Sequence, residues 1–136
     1  MAAHKQLRLV LVTPEKTLLD EPVSGLRFPL FDGQIGVLPG RAPLVGRLGA
    51  GELMIERESE NGSYFVDGGF VQIKGQVVTL LTNRAIPTAQ LSAANAETAL
   101  SEAVALKPSS DLEFESKEKA VLRARRMLSL ARGKAR

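Results

Sequence analysis

The residues of this chain that could do chemistry are few, and their spacing argues against catalysis. Cysteine is absent from all 136 residues, which excludes disulfides, thiolate nucleophiles and cysteine metal sites. The single histidine, His4, stands near the N-terminus without the partners a metal site needs, and reads as a surface residue. Serine, histidine and aspartate all occur, but no G-x-S-x-G motif does. Asp32 and Asp67 each precede a glycine, where turn chemistry already accounts for them. Glu56, Glu58 and Glu60 alternate as on one solvated strand face, not as a catalytic carboxylate pair. The expectation is no catalytic, metal or cofactor-binding residue.

What remains is recognition. Asp32 to Val45, DGQIGVLPGRAPLV, interleaves three glycines and two prolines with apolar residues, too broken for a helix. It has no Gly-Lys-Ser/Thr ending and does not run from strand into helix, so it is not a phosphate cradle. It reads as a shaped, semi-rigid loop on a β framework, with Ile35, Val37 and Leu38 able to pack. The second candidate is the basic end. Lys119 to Arg136 holds seven Lys or Arg and no acid, so the net charge of +3 belongs to the tail and the rest is net negative. Such a block asks for an acidic partner.

The elements that must position these stretches fall into two textures. Leu7, Leu9 and Leu11 alternate with Arg8, Val10 and Val12, the period of a strand, until Thr13-Pro14-Glu15-Lys16 breaks it. Val23 to Leu30 alternates again, with Pro29 marking an edge or a strand end. Leu44 to Leu48 leads out of the loop, and Asn61-Gly62 predicts a tight hairpin between Leu53-Met54-Ile55 and Tyr64-Phe65-Val66. Phe70 to Ile73 and Val77 to Thr82 follow. Many short strands without helical pattern indicate an all-β sandwich or barrel of roughly 85 residues. Aromatics are only 4%, so its core must be aliphatic.

After Pro87 the pattern turns helical. Leu91 to Leu106 lacks Gly and Pro, with Thr88 or Ser92 as cap and Ala93, Ala96, Leu100 and Ala103 as its stripe. Lys107-Pro108-Ser109-Ser110 stops it. A second helix starts between Asp111 and Phe114, with Phe114, Val121, Ala124, Leu128 and Ala131 as stripe and Lys119, Arg123 and Arg126 opposite. This is an αα-hairpin on a short connection, an appendage able to move. No apolar run approaches the ~20 residues that span a bilayer. MAAHKQLRLVLV lacks a signal-like apolar region and cleavage site, which points to a cytosolic protein or one held at a membrane by a partner.

The loop carries a family resemblance. Gly33, Ile35, Gly36, Leu38, Pro39, Gly40, Ala42, Pro43 and Leu44 match G-x-[IL]-G-x-[LY]-P-G-x-A-P-L, which resembles the epsilon subunit of F-type ATP synthase. LRLVLVTPEKTLLD is similar to that family's opening segment, YFVDGGFVQIKGQVVTLLTNRA to its later strands, and KAVLRARRML to its basic C-terminal helix. The resemblance implies a mainly β plus α chain: an N-terminal β-sandwich, residues 1–87, then a C-terminal antiparallel two-helix hairpin, residues 88–136.

It further implies a non-catalytic rotor subunit of a proton- or sodium-translocating synthase. Such a subunit lies on the cytoplasmic face of the bacterial inner membrane and touches the membrane only through the complex. Its implied partners are the gamma subunit, the c-subunit ring and, through the helices, the beta and alpha subunits; nucleic acid is not among them. The implied docking loop comprises Gly33, Gln34, Ile35, Gly36, Leu38, Pro39, Gly40, Arg41 and Pro43. Gln34 and Arg41 stand where family members often carry an acidic residue and a histidine. Lys119, Arg123 and Arg126, flanked by Arg125 and Arg132, match the basic helix that brakes ATP hydrolysis. Ser92 and Asn95 replace the Asp and Arg of the segment with which some bacterial members bind ATP, so no nucleotide cofactor is implied. The competing reading is a basic-tailed β-sandwich adaptor for nucleic acid or another acidic partner. Against it, no aromatic is interleaved with the arginines after Phe114.

Overall fold

The computed structural model describes residues 6–40 and 42–134, with no side-chain placement for Lys134. The chain forms two compact units, one ending at Ala85 and the other beginning at Ile86. Ten strands and two long helices follow in order: β1 (Leu7–Val12), β2 (Thr17–Val23), β3 (Gly25–Leu30), β4 (Gly33–Val37), β5 (Leu44–Arg47), β6 (Ala50–Glu56), β7 (Gly62–Asp67), β8 (Phe70–Lys74), β9 (Val77–Leu81) and β10 (Ala85–Pro87), then α1 (Ala93–Ala105) and α2 (Asp111–Lys134).

The strands make two five-stranded sheets, ordered β2-β1-β9-β8-β5 and β10-β7-β6-β3-β4. The β1–β9 pairing is parallel, and the other registered pairs are antiparallel. Alternate residues of both sheets turn inward into one core, aliphatic as expected except for Phe28: Leu7, Leu9, Leu11, Val71, Ile73, Val78 and Leu80 from the first, Leu26, Phe28, Val37, Leu53, Ile55 and Val66 from the second. This is the sandwich arrangement, in which the period of two fills the interior with every second side chain.

Several local expectations need correction. Thr13 to Lys16 is a hairpin turn closed by mutual backbone bonds of 3.0 and 3.2 Å, and it leads into β2, a strand the residue pattern hid. Pro22, Asp20 and Glu21 disfavour an inner strand but suit this edge position, where Asp20 pairs with Arg8 at 2.7 Å and Glu21 with Arg57 at 2.5 Å. Pro29 marks a strand end and not an edge, standing one residue before the end of β3. β3 lies between β6 and β4, but its ladder with β6 ends at Arg27, so the missing N–H of Pro29 interrupts nothing.

Asn61-Gly62 is not a two-residue hairpin turn. Gly62 already pairs with Ile55, and the connection runs from Arg57 to Asn61, so only Glu56 of the three alternating glutamates is on a strand. Asp67-Gly68-Gly69 carries the chain from one sheet to the other. Gly69 is obligatory there: its φ is +111°, and a Cβ would stand 1.8 Å from the Leu81 carbonyl oxygen.

In the second unit, a 3-10 turn at Thr88–Gln90 precedes α1. Ser92 is the α1 cap, its Oγ accepting from the Asn95 N–H at 3.2 Å. α1 ends before Pro108, and Ser110 caps α2 by accepting from the Glu113 N–H at 3.1 Å. The two helices pack antiparallel. Buried faces are Ala96 and Ala103 on α1 and Ala124, Leu128 and Ala131 on α2; Phe114, expected in that stripe, is exposed.

Phe28 is fully buried at the centre of the sandwich core. Phe28→Ala is expected to cost about 3–5 kcal/mol, read as a lower urea midpoint at unchanged m-value.

Candidate interaction surfaces

The loop singled out by the sequence is built in two parts. β3 and β4 form a hairpin with Phe31-Asp32 at its tip, since Leu30 pairs with Gly33. Half of the expected loop is therefore strand. Ile35 lies opposite Phe28 and packs half-buried on the core, so it supports the loop from inside. Gln34 and Gly36 alternate with it on the outer side and are exposed.

From Leu38 to Pro43 the chain leaves the edge of one sheet and reaches β5 at the edge of the other. Leu38 does not pack as expected: it is 65% exposed. Pro39 is half-buried, Pro43 is exposed, and Gly40 has a φ of +90° that only glycine takes without strain. Arg41 lies outside the described residues, as does His4.

The structure adds a surface that the sequence reading missed. The outward residues of the first sheet are apolar over much of its width. Register places Val12, Leu81, Phe70 and Arg47 in one row across β1, β9, β8 and β5. The next row holds Val10, Thr79, Gln72 and Val45, and the third holds Arg8, Val77 and Lys74. Val45 is 75% and Phe70 57% exposed, and Val77 and Leu81 are exposed beside them. Exposed Phe31 extends the first row: the Arg47 guanidinium stands 4.8 Å from its ring centroid, and its N–H donates to the Arg47 carbonyl at 2.8 Å. Large apolar side chains with an arginine among them have the composition typical of protein association surfaces. The signal was present in LRLVLV and VVTLL, strands largely apolar on both parities, the pattern of strands with apolar side chains on both faces.

The basic helix is real but not uniform. Lys119, Arg125 and Arg126 are exposed, while Arg123 is half-buried and engaged in an interaction. Arg132 is exposed but paired: its Nη2 donates to Glu97 Oε1 of α1 at 3.0 Å. At the hairpin turn an open groove of about 240 Å³ is lined by Leu106, Lys107, Pro108, Glu113, Ser116 and Lys117. The Glu113 carboxylate is already committed, accepting from the Ser109 hydroxyl at 2.5 Å and the Ser109 N–H at 2.6 Å.

Comparison with known proteins places the chain. A family model described as ATP synthase, Delta/Epsilon chain, beta-sandwich domain matches residues 6–88. The ATP synthase epsilon chain of Rhodopirellula baltica is 44% identical over 126 residues, 93% of this chain and 98% of that one. Among solved structures, a chain of the Euglena gracilis mitochondrial ATP synthase, in an OSCP/F1/c-ring assembly, superposes with a TM-score of 0.82 at 26% identity. The match covers 92% of this chain and 81% of that one. A chain of the Tetrahymena thermophila mitochondrial ATP synthase central stalk/c-ring shares the fold, with a TM-score of 0.75 at 13% identity, over 92% and 96%. The sandwich and its hairpin thus define the class, a β-sandwich subunit of the ATP synthase delta/epsilon type. The chain belongs to the ATP synthase epsilon chain family, whose members are non-catalytic subunits of the synthase. Among the described residues, no helix is long and apolar enough to cross a membrane.

The two Ser109 bonds, the hydroxyl's first, hold the Glu113 carboxyl below its ordinary value of 4.5. A lowered carboxylate pKa contributes stability that is complete above the ordinary value and is lost as pH falls through the lowered folded one. Amide protection in the first turn of α2 is expected to fall on that acid side in the parent chain. In Glu113→Gln this pH dependence should be absent. Equal acid dependence in both would assign it to another group.

Proposed function

We propose that this chain is a central-stalk, rotor subunit that ties gamma to the c-ring of its synthase and slows ATP hydrolysis through its C-terminal helices. The observation that carries the first half is the exposed apolar face of Val45, Phe70, Val77 and Leu81 on a sandwich of the epsilon family. An apolar face with Arg47 stacked at its margin suits a lasting protein joint, and we assign it to gamma. The Gly33–Leu44 segment, with Gln34, Gly36, Leu38, Pro39, Gly40 and Pro43 toward the partner and Ile35 as internal support, meets the c-ring, and Arg41 belongs to the same segment in sequence. The c-ring and F1 of the Euglena assembly, which contains a chain of this fold, favour the assignment.

The second half rests on α2. In the closed hairpin it packs on α1; when opened, it presents Lys119, Arg123, Arg125 and Arg126 to acidic surface of the beta and alpha subunits. Attraction between opposite charges steers such an encounter from a distance and is reversible. No nucleotide enters this scheme, because the Ser92 hydroxyl caps α1 and Asn95 brings no cation for a phosphate. The subunit is peripheral, held to the cytoplasmic face of the inner membrane by the complex alone.

Capture of the tagged protein from its native membranes tests the whole reading. Gamma is expected with alpha and beta; nucleic acid or ribosomal proteins without synthase subunits would overturn it. Val45→Glu with Phe70→Glu should weaken gamma capture by at least about tenfold, while the isolated chain keeps its far-ultraviolet dichroism. Arg123→Glu with Arg126→Glu should leave assembly intact and relieve inhibition of ATP hydrolysis. Unchanged inhibition in an assembled complex would remove the basic face from the mechanism.

A further inference from the structure

The cations of α2 are alike in sequence but not in the fold. Lys119, Arg125 and Arg126 are exposed whether or not the hairpin is closed, whereas Arg132 is held by Glu97, 35 residues earlier in the chain. Only antiparallel packing of α1 on α2 brings those two residues together. We infer that Arg132 is a two-partner residue: Glu97 holds it in the closed hairpin, and the acidic surface met by α2 takes it over on opening. Glu97 therefore sets how readily the brake engages. The inference rests on the inhibitory reading proposed above and adds its point of regulation.

Position and strength both support this role. The pair bridges the N-terminal half of α1 and the last turns of α2, at the open end of the hairpin, opposite the turn around Pro108. A lever from Ser110 to Arg132 is on the order of 30 Å long at 1.5 Å per residue. Any swing of α2 about the turn separates this end furthest. The side chains are 62% and 56% exposed, so water and salt screen the pair and it breaks without leaving a buried charge. It is a bias, not a lock. A guanidinium fork that is seated on one carboxylate is also withheld from another, so the Glu97 carboxylate competes directly with one on the partner.

The test uses the full-length chain in two settings. Spin labels at exposed Ala94 on α1 and Ser129 on α2 report opening in the isolated protein, and reconstituted complex reports inhibition of ATP hydrolysis. Glu97→Gln is expected to raise the open population about twofold to fivefold and to strengthen inhibition, although it removes no cation. This excess over the parent chain should shrink as salt rises. Arg132→Gln should open the hairpin equally without strengthening inhibition, because the second partner's contact is lost with the first. Exchanging the charges, Glu97→Arg with Arg132→Glu, should restore closure and weaken inhibition. Label distances in Glu97→Gln identical to the parent's would overturn the switch. Opening that rises in Glu97→Gln with inhibition unchanged would instead overturn the brake, and with it the second partner.

Discussion

The pleat of the first sheet is the constraint on which the rest depends. The parallel ladder between β1 and β9 joins the first strand of the chain to its ninth and fixes which side chains of both turn inward. Once Leu7, Leu9 and Leu11 meet Val78 and Leu80 in the interior, Arg8, Val10, Val12, Val77 and Leu81 have no choice but the outer face. A one-residue slip would exchange the two sets; it would bury the Arg8 charge, but Val10, Val12, Val77 and Leu81 are apolar and oppose it little. Register must be held elsewhere. The turn at Thr13–Lys16, the backbone bond from the Arg8 N–H to the Gln76 carbonyl at 2.8 Å, and Gly69, against which the Leu81 carbonyl is pressed, supply that hold.

The hairpin is built on the opposite principle. Its buried residues are small: of the five on the two helices, Ala96, Ala103, Ala124, Leu128 and Ala131, all but Leu128 are alanine, so its interface carries little apolar area per residue. Its ends are well capped by Ser92 and by Ser110 with Glu113, so each helix is supported locally as well as by its neighbour. Good caps with a thin interface make helices that persist when separated. This is the combination that a moving lever requires.

The architecture was legible in the sequence because turn chemistry and hydrophobic period agreed: short alternating runs up to Pro87, then glycine-free stretches with helical spacing. The errors came where one local rule stood against tertiary context. β2 was hidden by Pro22 and two acids, residues that disfavour strands in general but suit an edge. Asn61-Gly62 looked like a turn, yet β6 ends at Glu56 and leaves room for a longer connection. Pro29 left an edge and a strand end both open, and only the ladder with β6, which stops at Arg27, selects the strand end. The docking loop was found as a segment, but the division into Ile35 inside and Gln34 outside needs the register with β3. The apolar outer face escapes the sequence because LVLV and VVTLL are apolar on both parities, and only the sheet order shows that their outer sides lie in one plane. That Arg132 is paired follows from a packing between helices that no local pattern encodes.

The two candidate surfaces differ in a way that fits two kinds of attachment. Val45, Phe70 and Leu81 gain from leaving water, a gain that scales with area, is insensitive to salt and has no long reach. It favours a joint that forms once and transmits load. The cations of α2 attract over roughly a Debye length, about 8 Å at physiological ionic strength, but exchange readily with water, and Arg132 also with Glu97. They favour contact that must be made and broken. A permanent joint on charged residues would loosen with every change of salt, and a brake on an apolar stripe would stick or aggregate when opened. Placing the apolar surface on the rigid sheet and the charge on the thinly packed helix avoids both failures.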